Sequence, residues 1–111
     1  MNDNLKTDNV CDGNNAEENF NETLRVLGDF WVLRVIGSLK DGPLRFYEIE
    51  RMLKNSNPVT LTNRLKKLEE AHYISRITES LDKQSVSYEL TEKGIAVIPV
   101  IRALKSFSSS Q

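Results

Sequence analysis

Hydrophobic residues recur every three or four positions from Phe20 onward, which predicts a series of amphipathic helices. A short first helix is expected to end at Gly28, and a second helix to follow an Asp29 cap and extend through Lys40. The second helix is apolar on nearly every side, which predicts that it is the buried central helix. Gly37 lowers helix propensity within it, and we therefore expect close packing at that position.

Two further helices are predicted on either side of a polar turn. The third covers about 46–53, and Asn57 and Pro58 then provide an N-cap and a first residue for a fourth helix that runs to about Ala71. The inward side chains of the third helix are predicted to be Phe46, Ile49, Met52 and Leu53. The apolar stripe of the fourth helix consists of Leu61, Leu65 and Leu68.

The period of the pattern then changes from about 3.6 to 2, which predicts two strands over 73–78 and 86–90 joined by a loop. Thr91 is expected to cap a last helix that extends to about Phe107. Pro99 falls inside this helix and should either kink it or displace its start.

The predicted order is helix, helix, helix, turn, helix, hairpin, helix. Two helices joined by a short turn and followed by a two-stranded hairpin are typical of a winged helix-turn-helix. We therefore predict a mainly α fold with a small β-hairpin. The domain is assigned to 19–107, between a disordered polar tail over 1–18 and a frayed C-terminus over 108–111.

Charge is distributed unevenly along the 111 residues, although the net charge is only -1. Residues 1–30 carry a net charge of -5, residues 31–80 a net charge of +3, and the remainder +1. The basic surplus therefore lies in the span that holds the predicted helix-turn-helix. Because the overall charge is near zero, we expect weak non-specific binding to nucleic acid.

The residue types present exclude several classes of protein. A single cysteine, Cys11, and a single histidine, His72, argue against a disulfide-stapled domain and a zinc site. The chain carries no glycine-rich phosphate loop and no nucleophile with a neighbouring base, so no enzyme activity, cofactor or catalytic residue is predicted. Without an apolar run long enough to span a membrane, a cytoplasmic location is expected.

The outward face of the fourth helix carries the candidate chemistry. Its amides and hydroxyls could hydrogen-bond base edges, and its lysines could neutralise phosphates. The outward residues are Thr60, Thr62, Asn63, Lys66 and Lys67. The hairpin adds Arg76, Lys83 and Gln84. A solvated helix face beside an ordinary loop stays open as the alternative interpretation.

Five ordered blocks of sequence resemble the HxlR family of winged-helix transcription regulators, which belongs to the broader MarR-like group. The blocks cover residues 27–31, 39–46, 60–69, 88–94 and 98–101. One departure from the family pattern is that Asp29 and Phe30 stand where members commonly have a second glycine and a basic residue.

The resemblance implies a transcriptional regulator, by default a repressor, that binds double-stranded DNA at a near-palindromic operator as a homodimer. Family members pair through their first and last helices. The corresponding interface residues here are Phe20, Leu24, Val97, Val100, Ile101, Leu104 and Phe107. Two alternatives stay open: the three residues Val97, Val100 and Ile101 could simply be core, and the winged helix could bind protein instead of DNA.

Some family members sense oxidants through a cysteine just before the first helix, but that position here falls near Glu18. Cys11 lies earlier, so an incidental cysteine is favoured over a redox sensor. For His72, a packing or capping role is favoured over a pH switch. For Trp31, a position in the core is favoured over a place in the wall of an effector cavity. The sequence does not specify whether a small-molecule effector exists.

Overall fold

The computed structural model describes residues 10–54, 57–78 and 86–111. The helices in these ranges are α1 (Val10–Leu27), α2 (Phe30–Ser38), α3 (Phe46–Met52), α4 (Pro58–Glu70), α5 (Glu92–Ile95) and α6 (Ile98–Ser109). The strands are β1 (Leu44–Arg45), β2 (Ile74–Thr78) and β3 (Val86–Leu90). The prediction of a mainly helical fold with a small hairpin is confirmed. Among the described helices, none is long and apolar enough to cross a membrane.

The buried core is centred on α2, as its apolar composition predicts. Val32, Val35 and Ile36 are fully buried and pack with apolar side chains from α1, α3, α4 and α6 and from β2. The expectation of close packing at Gly37 is wrong, because a Cβ placed there would meet no described atom within 4 Å. The glycine instead lines a groove between α2 and α6.

The sheet contains one strand more than the predicted hairpin. β3 lies between β2 and β1, and both pairings are antiparallel. Leu44 pairs with Tyr88 and Arg45 with Ser87, so the chain entering α3 is fixed to the hairpin. The sequence did not suggest β1, because a two-residue strand is too short to produce a recognisable alternation.

Pro99 displaces the start of the last helix, which is one of the two outcomes that its position predicts. Thr91 caps only the short α5, where its side chain accepts a hydrogen bond from the Gly94 amide. Helix α6 then begins at Ile98, so that Pro99 lies in its first turn. Proline is tolerated there because the N–H groups of the first turn have no partner within the helix.

Both ends of the domain are more helical than predicted. Helix α1 begins at Val10, so the prediction of a disordered tail over 1–18 is wrong from residue 10 onward, and residues 1–9 lie outside the described ranges. Extending an existing helix fixes one residue for each hydrogen bond gained and is far easier than starting one. At the other end α6 extends to Ser109, so fraying over 108–111 is wrong for its first two residues.

Helices α1 and α6 extend beyond the core. Every residue over 15–22 and over 102–111 is exposed. The Cα radius of gyration is 16.8 Å, compared with about 13 Å for a compact chain of this length. The protomer is therefore elongated, and the projecting parts of its two outer helices are exposed on all sides.

Candidate nucleic-acid interface

The start of helix α4 is fixed by its own first residues. The side chain of Asn57 accepts hydrogen bonds from the amides of Val59, at 2.7 Å, and of Thr60, at 3.4 Å. Pro58 occupies the first turn. Together they orient the end of the helix that a winged helix-turn-helix inserts into the major groove.

The predicted separation of the two faces of α4 is confirmed. Its leucine stripe, formed by Leu61, Leu65 and Leu68, is buried in the core. Thr62, Asn63 and Lys66 are exposed on the opposite side, whereas Thr60 is only partly exposed. A hydroxyl, an amide and an ammonium group therefore share one accessible surface.

Lys67 differs from this prediction. Its Nζ donates a hydrogen bond to the backbone carbonyl of Arg25 at 3.0 Å, in the last turn of α1. Carbonyls in the last turn of a helix have no partner within the helix, and a cation there also interacts favourably with the helix dipole. Lys67 thus joins α4 to α1 and does not lie on the outward face with Lys66.

The hairpin brings one predicted cation towards this surface. Thr62, Lys66 and Arg76 line the same cavity, of about 220 Å³, between α4 and the sheet. Arg76 Nε lies 4.0 Å from a carboxylate oxygen of Glu69, so its charge is partly offset. Lys83 and Gln84, the other hairpin candidates, lie outside the described residues.

Val59 is an exposed apolar residue that was not among the predicted DNA-facing residues. It lies in the first turn of α4 with 67% of its surface accessible, on the same side of the helix as Thr62 and Asn63. The signal was present in the sequence, since an apolar residue out of phase with the leucine stripe must point away from the core.

Asp29 and Arg64 connect α4 to the central helix. Asp29 caps α2 by accepting hydrogen bonds from the amides of Trp31, at 2.8 Å, and Val32, at 3.2 Å. Its other oxygen lies 2.9 Å from Arg64 Nε. The Nε–H makes no well-aligned hydrogen bond, so the contact is best described as an ion pair.

The environment of Asp29 lowers its pKa. Burial of the carboxyl group opposes ionisation, but the Arg64 guanidinium and the two α2 amides outweigh it. A lowered pKa in the folded state stabilises the fold above the pKa of the unfolded chain, and this stabilisation is lost as the pH falls through the folded value.

We expect Asp29→Ala to lower the free energy of unfolding by about 1–2 kcal/mol, since it removes the cap. Asp29→Asn should cost less, because asparagine caps helices equally well and only the ion pair is lost. Urea unfolding at neutral pH, repeated below about pH 4, measures both effects. Wild type should lose more stability on acidification than Asp29→Asn, and equal losses would contradict the role assigned to the ionised carboxylate.

His72 caps the end of α4, and Trp31 packs against the core. His72 follows α4 with a left-handed φ of 67°, and its amide donates to the carbonyl of Glu69. The next amide, of Tyr73, donates to Leu68, which completes a Schellman motif and confirms a capping role. Trp31 packs against the core, with its ring 5.0 Å from that of Phe30. The side chain of Cys11 lies outside the described part of the chain.

The predicted interface residues fall into two groups. Val97 is only 5% exposed and belongs to the core, and Ile101 is partly buried against it, so the open core interpretation holds for Val97. The other five have about half or more of their surface accessible: Phe20, Leu24, Val100, Leu104 and Phe107. Spacings of four within α1, and of four and three within α6, place them on one stripe of each helix.

A sequence profile of the HxlR-like helix-turn-helix family matches residues 26–111. The chain belongs to the HxlR family. An uncharacterized HTH-type transcriptional regulator of Methanothermobacter thermautotrophicus is 41% identical over 78 residues, which are 70% of this chain and 60% of that protein. The HTH-type transcriptional regulator YodB of Bacillus subtilis is 31% identical over 86% of each chain.

Solved structures support the same assignment. The reduced form of YodB superposes on this HxlR-family chain with a TM-score of 0.71 at 32% identity, over 79% of this chain and 86% of YodB. Its quinone-bound form has the same TM-score at 31% identity, over 84% of this chain and 97% of that one. The chain is an HTH-type transcriptional regulator with a winged-helix fold, and its relatives are regulators, not enzymes.

Proposed function

We propose that this HxlR-family regulator binds double-stranded DNA through helix α4. The observation that carries the proposal is the shared exposed surface of Thr62, Asn63 and Lys66, which lies opposite the buried leucine stripe. Asn63 can donate and accept hydrogen bonds at an adenine edge, and Lys66 can neutralise a phosphate. Exposed Val59 can pack against the methyl group of thymine at the tip of the helix.

The bound species proposed is a homodimer on a near-palindromic operator. Support comes from the exposed apolar stripes on α1 and α6 and from the projection of both helices beyond the core. A two-fold dimer would place two copies of α4 about one DNA turn apart, in successive major grooves. Because the net charge is near zero, specific affinity would depend on both half-sites being bound together. Repression by occupying a promoter requires only this binding.

Three alanine variants test the DNA-facing surface. Lys66→Ala should weaken binding to all sequences and reduce the salt slope of log K by about 1. Asn63→Ala should instead relax preference at one base-pair position, and Val59→Ala should abolish discrimination between thymine and uracil at one position. Fluorescence anisotropy on duplexes from an in vitro selection, titrated at several salt concentrations, measures each effect.

Lys67→Ala is the matched control, because the neighbouring ammonium group is bound to α1 and should contribute little to the salt slope. If Lys66→Ala and Lys67→Ala change the slope equally, the face assigned to DNA is wrong. If wild type binds no duplex at any salt concentration, the alternative of a protein-binding winged helix replaces the proposal.

A further inference from the structure

One acidic side chain lies on the surface proposed to face DNA. Thr62, Lys66 and Glu69 are spaced four and three residues apart, so they form one stripe along α4. All three line the cavity of about 220 Å³ between α4 and the sheet. Among the described residues that line this cavity, Glu69 is the only acidic one. A DNA phosphate brought close to this stripe would therefore meet a carboxylate as well as a cation.

The strand register directs Arg76 towards the same cavity. Arg76 lies two residues after the buried Ile74, which packs in the core with the leucines of α4, so both side chains share the face of β2 that is turned towards that helix. Arg76 is paired across the strands with Tyr88, and both residues line the cavity. Lys66 on the helix and Arg76 on the sheet therefore border one cavity from different elements, an arrangement suited to holding a phosphate.

In the free protein the cation on the sheet already has an anionic neighbour. Arg76 Nε lies 4.0 Å from Glu69 Oε2, and the two side chains keep 55% and 40% of their surface accessible. This is a loose pair in contact with solvent, and pairs of this kind contribute little to stability. It can therefore open without unfolding a helix or a strand. Its main effect is on the charge that Arg76 presents to an approaching phosphate.

We propose that Glu69 competes with DNA phosphate for Arg76, so that the ion pair must open before Arg76 can bind the DNA backbone. The inference rests on the proposed DNA-binding role of α4, and it adds a contact within the protein that holds the affinity down. A guanidinium binds a carboxylate or a phosphate with the same N–H groups. The anion that occupies the cavity excludes the other by like-charge repulsion.

The competition operates on every DNA sequence. Phosphate contacts supply nearly all of the affinity for non-specific DNA, whereas Asn63 and Val59 are proposed to contact bases. A carboxylate beside Arg76 thus keeps non-specific affinity low, in line with the near-zero net charge of the chain. Binding to the operator can offset the cost of opening the pair, because base contacts there add to the phosphate contacts.

Glu69→Gln tests the competition, since the amide has the same shape as the carboxylate and no charge. It should raise the affinity for both an in vitro selected operator and an unrelated duplex by about threefold for each α4 bound, and it should steepen the fall of log K with salt. Fluorescence anisotropy at several salt concentrations measures both effects. In an Arg76→Ala background the gain should fall to about half or less, because the cation that the substitution would release is missing.

Glu70→Gln is the matched control, because it removes the same charge from the next residue of α4, which is exposed and does not line the cavity. Circular dichroism melting checks that every variant folds. Equal gains from Glu69→Gln and Glu70→Gln would overturn this inference, and so would a gain that persists in full without Arg76. A loss of affinity in Glu69→Gln would also overturn it, since the carboxylate would then assist binding, for instance at a cytosine amine. A wild type that binds no duplex would instead overturn the proposed role of α4.

Discussion

Leu104→Asp combined with Phe107→Asp is expected to convert the protein to monomers and to lower its affinity for a two-half-site operator by about a hundredfold or more. The two side chains are 48% and 63% exposed in the protomer, on the stripe of α6 that would pack against a second copy. Aspartate there would bury unpaired charge in an apolar interface, which is strongly unfavourable. The monomer would then bind one half-site and lose the advantage of linked binding.

Ser106→Asp is the control for this prediction. It adds the same charge to the same helix at an exposed position away from the apolar stripe, and should leave the dimer intact. Ile101 is a poorer target, because it packs against the core and its replacement would also affect folding. Sedimentation measures the loss of the dimer, and titration with operator DNA measures the loss of DNA affinity. A double variant that stays dimeric would exclude an interface on this stripe.

The fold was predictable from sequence wherever local chemistry determined it. Asn57 and Pro58 define the start of α4, and its leucine spacing defines the buried face, so both were correct to the residue. The start of α1 was not predictable, since residues 10–18 contain few apolar side chains to mark a helix. Its backbone continues a helix whose apolar stripe begins later, at Phe20.

The candidate site divides in the same way. The exposure of Thr62, Asn63 and Lys66 was predictable from their positions relative to the leucine stripe. The contact of Lys67 with α1 was not predictable, because its partner is a backbone carbonyl 42 residues earlier in the chain. Val97 is the cap residue before α6 and is buried in the core, where it clusters with apolar residues from other helices. Contacts between distant segments depend on tertiary packing, which neither periodicity nor propensity reports.

Glycine positions illustrate the same limit. The sequence suggested tight packing at Gly37, in the middle of an apolar helix, yet that position is open. Gly94, at the start of the last helical region, is a tight position, because a Cβ there would overlap the backbone carbonyl of Tyr73 and lie 3.0 Å from a Leu90 methyl carbon. That carbonyl also accepts a hydrogen bond from the Thr91 amide, which holds it in place.

Gly94→Ala should therefore lower the free energy of unfolding by about 2–3 kcal/mol, because the overlapping atom belongs to the backbone and cannot rotate away. Gly37→Ala introduces the same methyl group into open space within a helix and should raise stability by about 0.5–1 kcal/mol. Urea unfolding of both variants at one protein concentration provides the comparison. The opposite signs matter more than either magnitude, since they separate steric overlap from any general effect of alanine. Equal changes in the two variants would mean that the backbone around Gly94 can make room for a methyl group, and that the overlap with the Tyr73 carbonyl does not destabilise the fold.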